Sequence, residues 1–294
     1  MEIQLKSKIE KNKMFENQKT CLVGYGYWGK ILHRNLMELG IQEVKVIDDV
    51  LGNTEELTDA YSHYIVATPF STHQELVKKI SQFGFKKIWC EKPLVPTLNE
   101  ANDLYAIASS SSCQIFVDWI YDFNPAVNFL SEYLKEKKIK QILLNRTNDG
   151  PVRHDCKSIL DLSSHDLTIL LKIFGIKNSK LNFNWNEFSL KTNENFGSNL
   201  SWSYRQGTQI ILNSSWQHTS KNRISIFITE KDEIILFDDI KKTVTLVGDR
   251  IEDFSNFPSP LHSSLKFFLD DEIQEFNHNQ ALTLELTRLL QKVK

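Results

Sequence analysis

Residues 21–40 read CLVGYGYWGKILHRNLMELG, with glycines at 24, 26 and 29. An apolar run precedes the glycines. After them Ile31, Leu32, Leu36 and Leu39 recur at helical spacing, and Gly40 stands where a helix would end. The reading of this stretch decides the fold. A G-x-G-x-x-G between a strand and a helix is either a cradle for a pyrophosphate or only a tight turn, and its surroundings separate the two.

Downstream, short apolar runs alternate with helical periodicity. EVKVIDD (43–49), HYIVATP (63–69), KKIWCEKP (86–93) and CQIFVDW (113–119) read as strands; HQELVKKISQFG (73–84) and TLNEANDLYAIASSS (97–111) read as helices. Thr97 and Glu100 have the spacing of a capping box. Strands alternating with helices imply parallel β-α-β units with right-handed crossovers, hence an α/β fold with a Rossmann-type doubly wound sheet. After Pro125 the pattern changes. QILLNRTN (141–148), LNFNWNEFSLKT (181–192), NLSWSYRQGTQIILNSSWQ (199–217), NRISIFITEKDEIILFDD (222–239) and KKTVTLVGD (241–249) alternate with period two, and Gly207 sits at a hairpin turn. CKSILDLSSHDLTILLKIFG (156–175) reads as one long helix, and two more follow near the C-terminus. The expectation is a dinucleotide-binding domain over 1–120 with a short N-terminal arm. A second α+β domain over 121–294, with an open, mainly antiparallel sheet, would bind substrate and oligomerise. The boundary falls near DFNPAV (122–127).

The 294 residues suffice for two domains, and 41% hydrophobic with 24% charged is a globular composition. A formal net charge of -2 with no basic stripe argues against nucleic acid as a partner. No apolar run approaches the roughly 20 residues of a membrane helix, and residues 1–20 lack the apolar core of a secretory signal. Cys21, Cys90, Cys113 and Cys156 form no C-x-x-C pair; Cys21 and Cys90 lie in apolar strands, and this usage suits a reducing, cytoplasmic setting.

With a strand before it and a helix after it, the glycine stretch favours the cradle. Gly24 permits the turn, Gly26 the approach of backbone amides to the pyrophosphate, and Gly29 close packing of helix on strand. Asp48, ending the second strand, is placed to accept from both ribose hydroxyls, and its charge favours NAD over NADP. Asp49 could hold that role instead, with Asp48 only starting a turn. Four motifs in order, GYGYWGK (24–30), ATPFSTH (67–73), CEKPL (90–94) and DLSSHDL (161–167), resemble the glucose–fructose oxidoreductase / inositol dehydrogenase / MocA family. The likeness is strongest to the sugar-nucleotide oxidoreductases of surface-polysaccharide pathways, where FNPAV (123–127) and SSWQHTSKNR (214–223) also have counterparts.

The resemblance implies nicotinamide-dependent hydride transfer. It implies that Glu91-Lys92-Pro93 lies beside the nicotinamide, with Lys92 on the substrate oxygen, His165 as general acid/base, and Asp161 as its partner or a substrate contact. The residues support this independently. Lys92 ends a parallel strand, where open α/β sheets bind ligands, and Asp161 and His165 are four apart, neighbours on an α-helical face. A carboxylate there can stabilise and orient an imidazolium. A metal on this Asp/His group is the sharper alternative, and the resemblance calls for none. Asp166 points elsewhere and matters less. Thr68, Pro69, Ser71 and His73 lie along the cofactor, although Ser71 or Thr72 could simply cap the next helix. Tyr27 and Trp28 pack over the phosphate turn, or Trp28 is core. For an anionic substrate group such as a nucleotide diphosphate the candidates are Arg153, His154, Lys157, Lys221 and Arg223; Tyr121 and Trp216 would line a sugar or base site.

One departure stands out. Only VLGNTEELTDAYS (50–62) joins the second strand to the third, where the family has a helix and a further strand, so the sheet should be trimmed on the adenine side. The expected function is an NAD-dependent oxidoreductase acting on a sugar, most often nucleotide-linked, as a homodimer or homotetramer through the second sheet. The alternatives are the same chemistry on an imine or other carbonyl, and a dinucleotide-binding accessory protein without turnover.

Overall fold

The computed structural model describes residues 15, 18–150, 157–175, 184–188, 197–204, 207–270 and 273–293. The expected N-terminal arm, together with Arg153, His154 and Cys156, lies outside these residues.

The first sheet is parallel, in the order β2-β1-β3-β4-β5. Its strands are β1 (Thr20–Val23), β2 (Val44–Ile47), β3 (His63–Val66), β4 (Lys87–Cys90) and β5 (Gln114–Val117). β1 and β3 are buried at every residue, as strands covered on both faces must be. Helix α1 (Tyr27–Glu38) buries Gly29, Leu32, Asn35 and Leu36. It ends in a Schellman motif: Gly40 takes φ 97°, Ile41 N–H reaches Leu36 O at 3.2 Å, and Gly40 N–H reaches Met37 O at 3.1 Å. Helices α2 (His73–Ser81) and α3 (Leu98–Ser110) supply later crossovers. At the start of α3 Thr97 accepts Glu100 N–H at 3.3 Å while its hydroxyl donates to Glu100 Oε2 at 2.6 Å, a variant of the expected capping box. Between β2 and β3 stand two 3₁₀ turns, Asp49–Leu51 and Thr54–Glu56, and no strand, so β2 is the sheet edge.

The second sheet has eight strands in the order β13-β12-β11-β10-β6-β9-β8-β7. They are β6 (Ile139–Asp149), β7 (Asn184–Phe188), β8 (Gly197–Tyr204), β9 (Thr208–Ser215), β10 (Gln217–Thr229), β11 (Ile234–Asp238), β12 (Thr243–Thr245) and β13 (Ile251–Asp253). β6 and β9 run parallel, and every other neighbouring pair is antiparallel. Helix α4 (Pro125–Leu134) is capped by Asn124, whose Oδ1 accepts from Ala126 and Val127, with Pro125 in the first turn. Helix α5 (Ser164–Phe174) is preceded by a π-turn, Ile159–Ser163.

The chain divides after Asp118, but not into 1–120 and 121–294. Leu261–Thr287 belongs with Met1–Asp118, and Trp119–Pro260 with Arg288–Lys294 forms the other unit. The segment that crosses back is α6 (Pro260–Leu269) and most of α7 (Ile273–Leu290). Its aromatic rings explain the return: Phe267, Phe268 and Phe276 all lie within 6.0 Å of the Phe116 ring on β5. Asn279 also closes the β5 edge, donating to Val117 O and accepting from Val117 N–H, both at 2.8 Å. A side-chain amide here completes a ladder position that no sixth strand fills.

Candidate active site

Strand order reverses between β1 and β3, so the carboxyl ends of these strands flank the switch point where open α/β sheets take ligands. Gly24, at φ 97°, turns the chain there, and a Cβ on it would lie 2.5 Å from Ala67 O. A Cβ on Gly29 would run into Gly24 O, so this glycine protects the turn itself rather than a distant strand. At Gly26 a Cβ would meet nothing within 4 Å, so this side of the loop is open. Gly26 also caps α1 without a side-chain bond, and the first turn of that 12-residue helix carries no acid. The helix start therefore keeps free amides and a positive end, which fits a pyrophosphate.

Asp48 joins this loop to β2. Its Oδ2 accepts Tyr25 N–H at 2.5 Å and its Oδ1 accepts Val50 N–H at 2.8 Å, so it does start the 3₁₀ turn and also braces the glycine loop. Each oxygen retains a lone pair for a ribose hydroxyl. Asp49 is exposed. Tyr27 is 83% exposed, on the α1 face opposite Leu32 and Leu36. Tyr25 is the ring that folds back, edge-on to His33 at 5.6 Å. Trp28 is half-buried, and its indole N–H meets no partner among the described residues.

At the end of β3, the Thr72 hydroxyl turns back to Thr68 Oγ1 (2.7 Å) and Pro69 O (2.8 Å) and makes no helix cap; Ser71 is exposed. His73 is also corrected. It is buried, with Nδ1 2.9 Å from Pro93 O and Nε2 3.0 Å from Thr68 O, so both ring nitrogens are spent on the loops after β3 and β4. Lys92 follows β4, half-buried; its N–H donates to Glu91 Oε2 at 3.1 Å, and the Lys92–Pro93 peptide is cis.

Sequence reasoning passed over Asp118, the next residue after β5. It is buried, its N–H donates to Cys90 O at 3.0 Å, and its Oδ1 accepts Ser264 Oγ at 2.7 Å. Burial pushes its carboxyl up to about 7, against the Ser264 bond and the charge of Lys92. The only signal was a charge closing the apolar run CQIFVD.

In the other unit, the π-turn interrupts the α-helical register assumed for Asp161 and His165. Asp161 lies within it and His165 one residue into α5. Trp216 does not line an open site; it is buried, and its Nε1 donates to Asp161 Oδ2 at 3.1 Å. Tyr121 is buried too, its ring 5.1 Å from that of His165. Its hydroxyl donates to Asp239 Oδ2 at 2.6 Å and accepts Arg146 Nη1 at 2.7 Å. Asp166, expected to matter little, is the buried counter-ion of Arg146. Tyr121 and Arg223 do share a cleft of about 180 Å³ with Asp239, Lys242 and Phe254. Arg223 donates to Asp239 at 3.3 Å; Lys221 is exposed, its ammonium pushed down chiefly by the Arg223 charge. Lys157 is half-buried at the entry to the π-turn.

Residues 38–119 match the Gfo/Idh/MocA family, described as an oxidoreductase family with an NAD-binding Rossmann fold. A 48-residue stretch is 46% identical to the uncharacterized oxidoreductase C115.03 of Schizosaccharomyces pombe, covering 16% of this chain and 13% of that one. The fold is that of UDP-N-acetylglucosamine 3-dehydrogenase GnnA from Acidithiobacillus ferrooxidans, with a TM-score of 0.78 at 18% identity over 94% of this chain and 97% of that one. It is also that of an inositol dehydrogenase homolog from Azotobacter vinelandii, complexed with NADH and myo-inositol: TM-score 0.72, 14% identity, 93% and 94% covered. By the match over residues 38–119, which hold β2 to β5, this part of the chain resembles the NAD-binding Rossmann fold of the Gfo/Idh/MocA oxidoreductases, and the whole chain shares the fold of the dehydrogenases named above.

Proposed function

We propose that this protein oxidises a secondary alcohol of a sugar, or reduces the corresponding ketone, with NAD as hydride carrier, and that the sugar is nucleotide-linked, as in surface-polysaccharide biosynthesis. The observation that carries the proposal is the row of loops at the carboxyl ends of the parallel strands. It sets an open, uncapped helix start beside Gly26, a carboxylate at Asp48 and an ammonium at Lys92 on one rim of one sheet. The named relatives that act on a UDP-sugar or bind myo-inositol favour a polyol substrate. The cations Lys221 and Arg223 favour an anionic substituent on it.

Bound NAD supplies the hydride acceptor. The chain supplies position and proton handling. In the oxidation, His165, or Lys92 with its amine in the neutral form, takes the hydroxyl proton as hydride leaves the carbon, and returns it in the reverse direction. Asp161, held by Trp216, provides the negative charge that steadies an imidazolium. The Asp118 carboxyl lies in the field of Lys92, so the charge at that strand end follows pH near 7. Arg153 and His154 remain candidates for the anionic group.

The test is a fluorescence titration with NADH and NADPH, followed by turnover with UDP-N-acetylglucosamine and with myo-inositol. Tighter NADH binding, turnover of the nucleotide sugar, and its collapse in Lys92→Ala and His165→Ala with NADH binding intact are the expected results. Binding without turnover of either compound would leave the accessory reading in its place, and tighter NADPH binding would remove Asp48 from its role.

A further inference from the structure

The structure places an ionic circuit behind His165 that the proposed chemistry does not use. His165 and Asp166 are consecutive in the first turn of α5 and point apart. Asp166 is buried, and its Oδ1 accepts from both Arg146 Nε (3.0 Å) and Nη2 (2.8 Å). Arg146, buried on β6, uses its remaining arm on the Tyr121 hydroxyl at 2.7 Å, and its guanidinium carbon lies 4.6 Å from the Tyr121 ring centre. That hydroxyl donates in turn to Asp239, which also receives Asn124 Nδ2 at 3.2 Å and Arg223 Nη1 at 3.3 Å. The Tyr121 ring then meets the His165 ring at 5.1 Å and 52°. The circuit begins and ends on adjacent residues of one helix turn.

A phenol has one proton to give, and here a donor and an acceptor engage it together, so the ring is pinned at its far end. Two cations, Arg146 and Arg223, meet two carboxylates, Asp166 and Asp239, in this assembly. Burial raises the Tyr121 phenol far above its ordinary acidity range, which removes it as a proton donor in the reaction. What remains for it is a fixed aromatic wall. We propose that Tyr121, locked by Arg146 and Asp239 and tied through Asp166 to the same helix turn, is a positioning residue that sets the orientation of the His165 imidazole. The proposal rests on the reading of His165 as the acid/base, but its geometry can be tested without turnover.

The experiment is histidine-selective NMR of the full chain, which has eight histidines. The His165 signal is identified by its loss in His165→Gln. In the wild type a single His165 line shifted by the neighbouring ring is expected. Tyr121→Leu should move and broaden that line while the other histidine lines stay. Tyr121→Phe keeps the ring but loses both hydroxyl bonds, and should broaden the line with a smaller shift. An unchanged His165 line in Tyr121→Leu overturns the proposal. If Tyr121→Leu disturbs every histidine, Tyr121→Phe decides, and an unchanged line there overturns it equally. Turnover that survives His165→Ala would sink the acid/base reading instead, so the two failures are separate.

Discussion

The rim of the first sheet and the circuit behind His165 are built from opposite materials. The rim is mostly backbone: glycines that bring carbonyls close, amides held by Asp48, and carbonyls gathered by His73. The circuit is side chain to side chain, joining Tyr121, Arg146, Asp166 and Asp239 across separations of 20 to 118 residues. A backbone site fails by steric intrusion at one position. A charge circuit fails by stranding the partner that is left behind.

That contrast predicts the largest stability effect in the circuit. Burial opposes charge on both Arg146 and Asp166; on Arg146 the attraction of Asp166 and the Tyr121 hydroxyl outweighs it, whereas on Asp166 burial still holds the carboxyl above its ordinary range against the pull of Arg146. Asp166 Oδ2 already has no hydrogen-bond partner among the described residues. Arg146→Met should therefore destabilise by about 3–5 kcal/mol, read by urea unfolding, since it leaves a buried carboxylate unpaired. Adding Asp166→Leu should recover most of the loss. If the double variant is no more stable than the single one, the circuit is packing rather than electrostatics.

The rim should respond in binding before it responds in stability. An alanine at Gly24 adds a Cβ 2.5 Å from Ala67 O in a left-handed conformation. Strain of about 1–3 kcal/mol corresponds to a loss of roughly five- to 150-fold in NADH affinity. Gly26→Ala meets no protein atom within 4 Å, so its damage should appear only against bound NADH, with unfolding unchanged. Equal loss of fold stability in both variants would mean that the loop is a turn and not a cradle.

His73 belongs to the rim but behaves like the circuit. Its two ring nitrogens lie 2.9 Å from Pro93 O and 3.0 Å from Thr68 O. His73→Phe should free the loops carrying Thr68 and Pro93 and weaken NADH binding about tenfold, the scale of one hydrogen bond. Fluorescence titration at pH 7 reads this directly.

These differences also explain what could be read from the sequence. The parallel unit was legible because its signals are local: alternating periodicities, the glycine at 40 and the Thr97–Glu100 pair all act within a few residues. Lys92 and His165 stood out because short motifs carry them. The return of α6 and α7 was not legible, since nothing near Phe268 or Asn279 in sequence says that Phe116 and Val117 are their partners. Arg146 passed unnoticed on a strand whose alternation would place any residue there, and Trp216 was recognised as an aromatic but not as the donor to Asp161.

The smallest expected effect comes from two buried groups of the first unit that oppose each other. Asp118 is raised from 3.8 to about 7, mainly by burial, so between those values the folded chain holds a proton that the unfolded chain has released. Its contribution to stability is present at low pH and is lost as pH rises through the window. His63 is lowered from 6.5 to about 4, by burial first and the Lys87 charge second. The folded chain lacks a proton there that the unfolded chain binds, so its contribution is present above 6.5 and is lost as pH falls. Over the shared interval, from about 4 to 6.5, the two slopes have opposite signs and largely cancel. Thermal unfolding across that interval should then be nearly flat in the part these two groups govern. Asp118→Asn should uncover a Tm that climbs with pH, and His63→Gln one that falls. If both variants tilt the same way, one of the two groups is not buried in the charge state its surroundings dictate.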